Sequence, residues 1–403
     1  MLELKNFIEA NRNVKKVSLR TPFAYAPYLS RIKDANIYIK KENLQLTGAY
    51  KIRGAFNKIA SLSEEERKNG VIASSAGNHA QGVAYSAKYF GIKSIIVMPE
   101  ATPLTKVTGA KQFGAEIILH GNSYDEAYKY ALEYSKKHSL SFIHPFEDDV
   151  VIAGQGTVAL EMIEDNDSID TVVVPIGGGG LISGVAAVYK QMFPNVRVIG
   201  VTASGAPAMR NSYINKAPSG SLYLRTIADG IAVRVTSERT LGYILESVDD
   251  IVEVSDEEIA SAVLFILEQQ KLVAEGAGAA GIAALLHDKI DIKKGENIGV
   301  VLTGGNIDVT MLSVIIEKGL LKSYRKMNLV VTLIDKPGSL MRLTEILTSI
   351  NTNIVQIGYD RVSTALDYGD ANVTIALETR GEEHQKQIKE TLSKEGYKFI
   401  DKI

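Results

Sequence analysis

Residues 45–55 read QLTGAYKIRGA, and the rest of the chain is interpreted around this stretch. Small residues flank a lysine, Lys51, on both sides, and apolar residues recur at helical spacing from Ala49 to Ile59. We predict a helix that begins at Ala49 with Thr47 as its cap. Lys51 would then lie in the first turn, where the positive end of the helix dipole and burial favour a neutral, nucleophilic amine. The alternative is a solvated lysine in an exposed first turn.

The composition is that of an ordinary globular protein. Its 403 residues suffice for two or three domains, and 45% are hydrophobic and 23% charged. A net charge of −2 gives no indication of a nucleic-acid or anionic-membrane partner. The absence of cysteine excludes disulfides, thiolate zinc sites and a cysteine nucleophile. The sequence has neither a signal peptide nor an apolar run near ~20 residues, so we expect a cytoplasmic protein.

The first part of the chain alternates between strand-like and helix-like segments. This alternation predicts right-handed βαβ crossovers and parallel sheets. Residues 211–225 are polar and read as irregular. The clearest strands are predicted at 70–73, 94–99, 116–119, 171–176, 197–201 and 297–302.

The pattern changes near residue 325. The residues that follow read βαββαβ, the order of a ferredoxin-like α+β domain. We therefore predict a first domain at 1–325, with a smaller lobe at about 47–150, and a second domain at 326–403.

Three glycine-containing turns follow predicted strands. Residues 74–79 (SSAGNH) connect a strand to a helix, where unpaired amides can hold an anion. Residues 177–180 are four glycines whose amides can surround a phosphate, and neither the Walker nor the dinucleotide pattern fits them. Residues 303–306 (TGGN) offer a hydroxyl at another strand end. The alternatives are an ordinary βα turn, a flexible loop and a simple turn, respectively.

Taken together, the motifs suit one kind of cofactor. A lysine amine, an amide-rich anion site, a phosphate loop and a hydroxyl fit a phosphorylated aldehyde held by an imine, as pyridoxal 5′-phosphate is.

In combination and order, these motifs resemble the fold-type II pyridoxal-phosphate enzymes, and among them the threonine ammonia-lyases (threonine dehydratases). The resemblance covers about residues 5–320, and residues 327–403 are similar to an ACT amino-acid-sensing domain. It implies an α/β, two-lobed, tryptophan synthase β-like fold with parallel-type sheets, followed by an α+β ferredoxin-like ACT domain. It also implies a homodimer or homotetramer.

The resemblance further implies roles for individual residues. Lys51 would bind the cofactor and, once displaced by the substrate, remove the substrate's α-proton. The other cofactor contacts would be Asn78 to the phenolic oxygen, Gly177, Gly178, Gly179 and Gly180 to the phosphate, and Thr303 to the pyridine nitrogen. The substrate carboxylate would be held by the backbone amides of Ser75, Ala76, Gly77, Asn78 and His79, with side-chain hydrogen bonds available from Asn78 and His79.

The implied reaction is the α,β-elimination of water from L-threonine or L-serine, giving 2-oxobutanoate or pyruvate and ammonia. A neutral hydroxyl at Thr303 leaves the cofactor ring a weaker electron sink, which favours prompt loss of a β-leaving group. Serine racemases of this family carry a serine where this chain has Ala76, so racemisation is disfavoured. Thr202, Ala206 and Ala208 offer no carboxylate where relatives bind a divalent cation, so we expect no metal there; a monovalent ion near Glu275 stays open.

Several functional alternatives stay open from the sequence. They are a serine racemase/dehydratase, a threonine synthase and a non-catalytic amino-acid sensor. For the second domain, the resemblance implies that isoleucine or valine binds at Asp335, Pro337 and Gly338 and regulates an enzyme of isoleucine biosynthesis. The alternative is a purely structural tail.

Overall fold

The chain folds into two compact units that divide between Asp308 and Val309. The structure, a computed structural model, describes residues 2–221, 223–363 and 366–402. The division falls earlier than the domain boundary predicted near residue 325, because the helix Val309–Lys322 contacts the first strand of the second unit. Among the described residues, no helix combines the length and apolarity needed to cross a bilayer.

The first unit alternates between helices and strands. Its strands are β1 (Phe23–Tyr25), β2 (Asn36–Lys41), β3 (Val71–Ser74), β4 (Ser94–Met98), β5 (Glu116–Leu119), β6 (Ser141–Phe142), β7 (Thr171–Pro175), β8 (Arg197–Ala203), β9 (Asp250–Val254) and β10 (Asn297–Leu302). Its helices are α1 (Leu4–Val14), α2 (Pro27–Lys33), α3 (Lys51–Ser61), α4 (Glu64–Asn69), α5 (Asn78–Tyr89), α6 (Leu104–Lys111), α7 (Tyr124–His138), α8 (Asp149–Asp165), α9 (Gly180–Met192), α10 (Ala208–Asn215), α11 (Glu238–Ser247), α12 (Asp256–Phe265) and α13 (Gly276–Leu286).

The larger lobe of this unit is built on a sheet with the strand order β1-β2-β10-β7-β8-β9. All neighbouring strands are parallel except β1, which runs antiparallel to β2. Strand β7 is buried along its whole length, as expected for a parallel strand covered by helices on both faces. Because β7 and β10 are neighbours, the tetraglycine turn and the TGGN turn leave the same edge of the sheet side by side.

The smaller lobe is built on a second sheet, with the order β5-β4-β3-β6, in which all strands are parallel. Strands β3 and β4 are fully buried, and α5 packs on them. The 74–79 turn leaves the carboxyl end of β3 and enters α5. The prediction of parallel α/β sheets is therefore confirmed in both lobes.

Two local predictions were wrong. The Lys51 helix begins at Lys51 itself, and Thr47 does not cap it; its hydroxyl lies 3.4 Å from the Ala49 carbonyl oxygen. The reason is that residues 48–50 pair with the TGGN turn, through Tyr50 N to Thr303 O at 3.1 Å and a β-bridge between Ala49 and Gly304. Residues 211–225, predicted to be irregular, contain the end of α10. Helix α12 is followed by a π-helical turn, Ile266–Gln270.

The second unit has the predicted ferredoxin-like order. The elements are α14 (Val309–Lys322), β11 (Lys326–Ile334), α15 (Ser339–Ser349), β12 (Asn353–Asp360), β13 (Asp370–Glu378), α16 (Glu382–Lys394) and β14 (Lys398–Asp401). The sheet has the antiparallel order β12-β13-β11-β14, and Leu343 and Leu347 of α15 are buried in the core.

Candidate active site

Lys51 is the first residue of α3, and its side chain is partly buried. Its Nζ donates a hydrogen bond to the Pro145 carbonyl oxygen at 3.0 Å. Among the described residues, Nζ has no carboxylate within ion-pairing distance. Burial lowers the pKa of Lys51 to about 8, although the charge of Glu275 opposes this shift. A large fraction of the amine is therefore neutral and nucleophilic near pH 8.

The tetraglycine turn lies beside the same segment. Phe146, which follows Pro145, packs its ring against Gly178, and a side chain at Gly178 would overlap that ring. Gly179 has φ +89°, a left-handed conformation that favours glycine, and it forms the N-cap of α9. The turn is largely buried and closely packed, which argues against a flexible loop. Its position at a helix N-terminus suits an anion.

The 74–79 turn presents backbone amides at the start of α5. Of the five predicted carboxylate contacts, the Ser75 amide donates to Val97 O and the Gly77 amide to Ser75 Oγ, both at 3.2 Å. The amides of Ala76, Asn78 and His79 thus remain as the candidates for an anion. The positive end of the α5 dipole adds to their attraction.

The side chain of His79 points away from the anion site of this turn, contrary to the prediction that it offers a hydrogen bond to the carboxylate. It is buried, and its Nε2 lies 2.8 Å from the Ile143 carbonyl oxygen. Burial, together with the charge of Lys51, lowers the pKa of His79 to about 3. The ring is therefore a neutral part of the core.

Asn78 is held from both sides of its amide. Its Nδ2 donates to Glu275 Oε1 at 2.6 Å, and its Oδ1 accepts from Asn306 Nδ2 at 2.8 Å. Asn306 also donates to the Thr47 carbonyl oxygen at 2.8 Å, which ties this network to the turn before Lys51. Two residues whose roles the sequence did not reveal, Glu275 and Asn306, thus fix the orientation of the Asn78 amide.

Glu275 is the N-cap residue of α13 and is buried. Burial and the nearby charge of Asp229 raise the pKa of Glu275 to about 7, although the hydrogen bond from Asn78 opposes this. The side chain lies over Gly304, where an added Cβ would overlap Glu275 Oε1. The EGAGA pattern at 275–279 is the available sequence signal, although from the sequence it suggests no more than a monovalent ion near Glu275.

Thr303 is buried at the carboxyl end of β10, as the motif predicts. Its carbonyl oxygen accepts from Tyr50 N, and Gly305 N donates to Gly48 O at 2.9 Å. Two motifs that lie far apart in the sequence are therefore joined by backbone hydrogen bonds at the residue before Lys51.

The predicted effector residues lie in the second unit. Asp335 accepts a hydrogen bond from the Tyr359 hydroxyl and pairs with Arg361 Nη2, both at 3.1 Å. Pro337 is exposed, and Gly338 has φ +90° as the N-cap of α15. These residues form an exposed turn between β11 and α15.

The arrangement of the first unit fits a phosphorylated aldehyde. Lys51 offers a nucleophilic amine, the tetraglycine turn a phosphate site, and Asn78 an amide that can bond a ring oxygen. Segment 145–146 contacts both the amine and the glycine turn, so the two lie on neighbouring surfaces. Within the described part of the chain, no group of three or more His, Cys, Asp or Glu residues could hold a metal ion.

Comparison with known proteins identifies similar chains. Residues 14–304 match the family described as pyridoxal-phosphate dependent enzyme. An L-threonine ammonia-lyase of Thermotoga maritima is 48% identical over 397 residues, which is 98% of each chain. The solved structure of threonine deaminase isoform 2 from Solanum lycopersicum has a TM-score of 0.74 at 36% identity, over 79% of this chain and 90% of that one. That of maize serine racemase has a TM-score of 0.75 at 33% identity, over 80% and 99%.

Proposed function

The chain belongs to the pyridoxal-phosphate dependent enzymes, and we propose that within this family it is an L-threonine ammonia-lyase that also accepts L-serine. The observation that carries the proposal is the lowered pKa of the Lys51 amine, next to a segment that also contacts the tetraglycine turn. The similarity to the Thermotoga enzyme, over nearly the whole of both chains, supports the choice of substrate.

Three parts of the site would hold the cofactor. Lys51 would bind it covalently, the amides of the tetraglycine turn would bind its phosphate, and Asn78 and Thr303 would bond the ring oxygen and ring nitrogen. When bound, pyridoxal 5′-phosphate supplies an electron sink for the electron pair left at the substrate's Cα.

Lys51 would act as the base of the reaction. A neutral Nζ can take the proton from Cα, and returning that proton to the departing β-hydroxyl balances the loss of water. The free amides of the 74–79 turn would hold the substrate carboxylate and so orient Cα toward Nζ. The released enamine hydrolyses to 2-oxobutanoate, or to pyruvate from serine, and ammonia.

Elimination is favoured over racemisation by one residue. Ala76 has no hydroxyl, so this position cannot supply a proton to the opposite face of Cα. The similarity to maize serine racemase makes racemisation the second candidate. The two activities are separated by measuring D-serine and pyruvate in one reaction.

The deciding experiment is 2-oxo acid release from L-threonine by the cofactor-loaded protein. We expect 2-oxobutanoate and ammonia in equal amounts. L-2-Aminobutyrate is the matched control, because it keeps the carbon skeleton of threonine but lacks the leaving hydroxyl. Equal oxo acid release from both substrates would contradict an elimination and indicate oxidative deamination. No release from either, with the cofactor bound, would exclude the lyase.

For the second unit, we propose a regulatory site for isoleucine or valine at Asp335, Pro337 and Gly338, which would link the enzyme to isoleucine biosynthesis. The exposed turn before α15 offers backbone groups to an amino acid, and Asp335 is already held by Tyr359. Regulation requires that the effector bind two states of the enzyme with different affinity.

Asp335→Ala tests this site. We expect the isoleucine concentration for half-maximal effect to rise by about tenfold, because roughly one charge-assisted contact to the effector is lost. Basal turnover should be unchanged, because the residue lies outside the first unit. Asp360→Ala, a change of the same type on β12, is the control. An unchanged isoleucine response in Asp335→Ala would place the regulatory site elsewhere.

A further inference from the structure

The turn formed by residues 144–148 controls the geometry around Lys51. It lies between β6 and α8; two of its residues contact the site, and a third contacts Ser237, the N-cap of α11. The Pro145 carbonyl accepts from Lys51, Phe146 packs on the tetraglycine turn, and Glu147 Oε1 accepts from Ser237 Oγ at 2.7 Å. What fixes this turn therefore also fixes the environment of the reactive amine.

The side chain of His144 stabilises the turn from within. Its Nδ1 accepts hydrogen bonds from two backbone amides of the turn, Phe146 N at 3.2 Å and Glu147 N at 2.7 Å. This is the pattern in which an asparagine or aspartate oxygen stabilises a turn by accepting from the amides two and three residues later. The His144 ring also packs edge-to-face on the Phe146 ring, with centroids 4.8 Å apart.

The double acceptance requires an unprotonated Nδ1, so the ring proton must be on Nε2. Burial lowers the pKa of His144 to about 4; Glu147 opposes the shift, Lys51 adds to it and Asp148 opposes it. Of the other groups nearby, His79 is uncharged and the hydroxyl of Tyr128 has a raised pKa. The ring therefore stays neutral at the pH values at which Lys51 gains and loses its proton.

We propose that His144 is a positioning residue, whose unprotonated Nδ1 sets the 144–148 turn so that the Pro145 carbonyl meets the Lys51 amine and Phe146 supports the phosphate turn. It would act on cofactor binding without touching the cofactor. The inference rests on the proposed cofactor roles of Lys51 and the tetraglycine turn, but it does not depend on which amino acid is the substrate.

Two substitutions separate the acceptor from the ring. His144→Phe keeps an aromatic ring and removes Nδ1, whereas His144→Asn removes the ring and keeps an acceptor at turn-forming distance. We expect His144→Phe to weaken pyridoxal 5′-phosphate binding to the cofactor-free protein by about tenfold, because two backbone amides of the turn lose their acceptor. His144→Asn should bind within about threefold of the wild type.

Cofactor affinity is read by absorbance titration, and the unfolding temperature of each cofactor-free variant is measured alongside. His138→Phe is the matched control, since His138 is exposed and stacks only on Tyr134. Weak binding by His144→Phe with recovery in His144→Asn supports the proposal. The proposal is overturned if His144→Phe and His144→Asn bind the cofactor with the same affinity. It is also overturned if the changes in cofactor affinity merely follow the changes in unfolding temperature. If His144→Phe does not fold, His144→Leu replaces it.

A measurement on the wild type tests the required protonation state of His144 Nδ1 without any variant. Long-range ¹H–¹⁵N spectra of histidine-labelled protein should show an unprotonated Nδ1 for His144 from about pH 5.5 to 8. A protonated Nδ1, or titration near the ordinary value of 6.5, would overturn the proposal. If the wild type does not bind the cofactor at all, or if Lys51→Ala binds it equally well, the cofactor roles fail instead, so the two failures are distinguishable.

Discussion

Two regions on either side of α3 each contain a buried or partly buried lysine, yet their chemistry differs. In the ion cluster around Arg53, Lys40 of β2 is fully buried. It donates to Glu161 Oε2 at 2.6 Å and to the Thr21 carbonyl oxygen at 2.7 Å. At the N-terminus of α3, Lys51 donates to the Pro145 carbonyl oxygen, and among the described residues it has no carboxylate within ion-pairing distance.

The difference lies in the partners, because Lys40, the more deeply buried of the two lysines, is the one that has a carboxylate partner. Lys40 belongs to a buried ion cluster in which Arg53 bridges Glu42 and Glu161 with contacts of 2.7–2.8 Å. Carboxylates there compensate the loss of water, so a cation can persist. Lys51 lacks such compensation, and its pKa falls to about 8. One helix thus carries a structural cation, Arg53, and a reactive amine two residues apart.

The largest effect should come from Lys51→Ala. Loss of the amine removes both the covalent attachment point and the proposed base, so turnover should fall by at least ~10³-fold. The folded protein should lose no stability, because an uncompensated amine has been removed from a partly buried site. Turnover and urea unfolding check the two expectations. Substantial turnover by the variant would contradict the mechanism.

Arg53→Met should chiefly lower the stability of the fold, in contrast to Lys51→Ala. The substitution leaves Glu42 and Glu161 buried with one partner fewer, which costs about 3–5 kcal/mol of unfolding free energy. Urea unfolding of the cofactor-free variant measures this loss. Lys58→Met is the control on the same helix, because Lys58 pairs with Asp148 near the surface and should cost about 1 kcal/mol or less. Equal losses in the two variants would contradict the distinction between the two faces of the helix.

A smaller effect, confined to one pH window, is expected from Glu275→Gln. The pKa of Glu275 in the folded protein, about 7, lies above its ordinary value of 4.5, so the native state binds the extra proton between these values. The contribution of Glu275 to stability is therefore fully present below pH 4.5 and is lost as the pH rises through 7, by up to about 3 kcal/mol. Unfolding free energies of wild type and variant, compared from pH 4.5 to 8, measure this slope. A parallel pair of curves would contradict the raised pKa.

Much of the fold followed from local patterns. The buried apolar strands, the turns at their carboxyl ends and the helices between them predict parallel sheets, and the βαββαβ order predicts the second unit. The chemical types of the site residues also follow from the motifs. A lysine amine, an asparagine amide and a glycine turn in this order have few explanations other than a shared binding site.

The rest depends on contacts between distant segments. No local signal indicates that Asn78 would bond Glu275 and Asn306, since these residues meet only when both lobes are in place. The same holds for the start of α3, where pairing with the TGGN turn replaces the predicted Thr47 cap. The turn at His144 was missed because its signal is a single acceptor atom, which in sequence is an unremarked histidine before a proline.

The central position of β10 has a consequence for the synthesis of the chain. The strand lies between β2 and β7, and the turn after it pairs with the residues just before Lys51. At ribosomal rates of about 5–20 residues per second, the nascent chain spends roughly 6–25 s with β7 made and β10 still missing. During that interval two apolar strand edges have no partner, and the residues before Lys51 lack their pairing with the TGGN turn. The protein therefore becomes able to take up its cofactor late in translation and depends on protection of those edges until then.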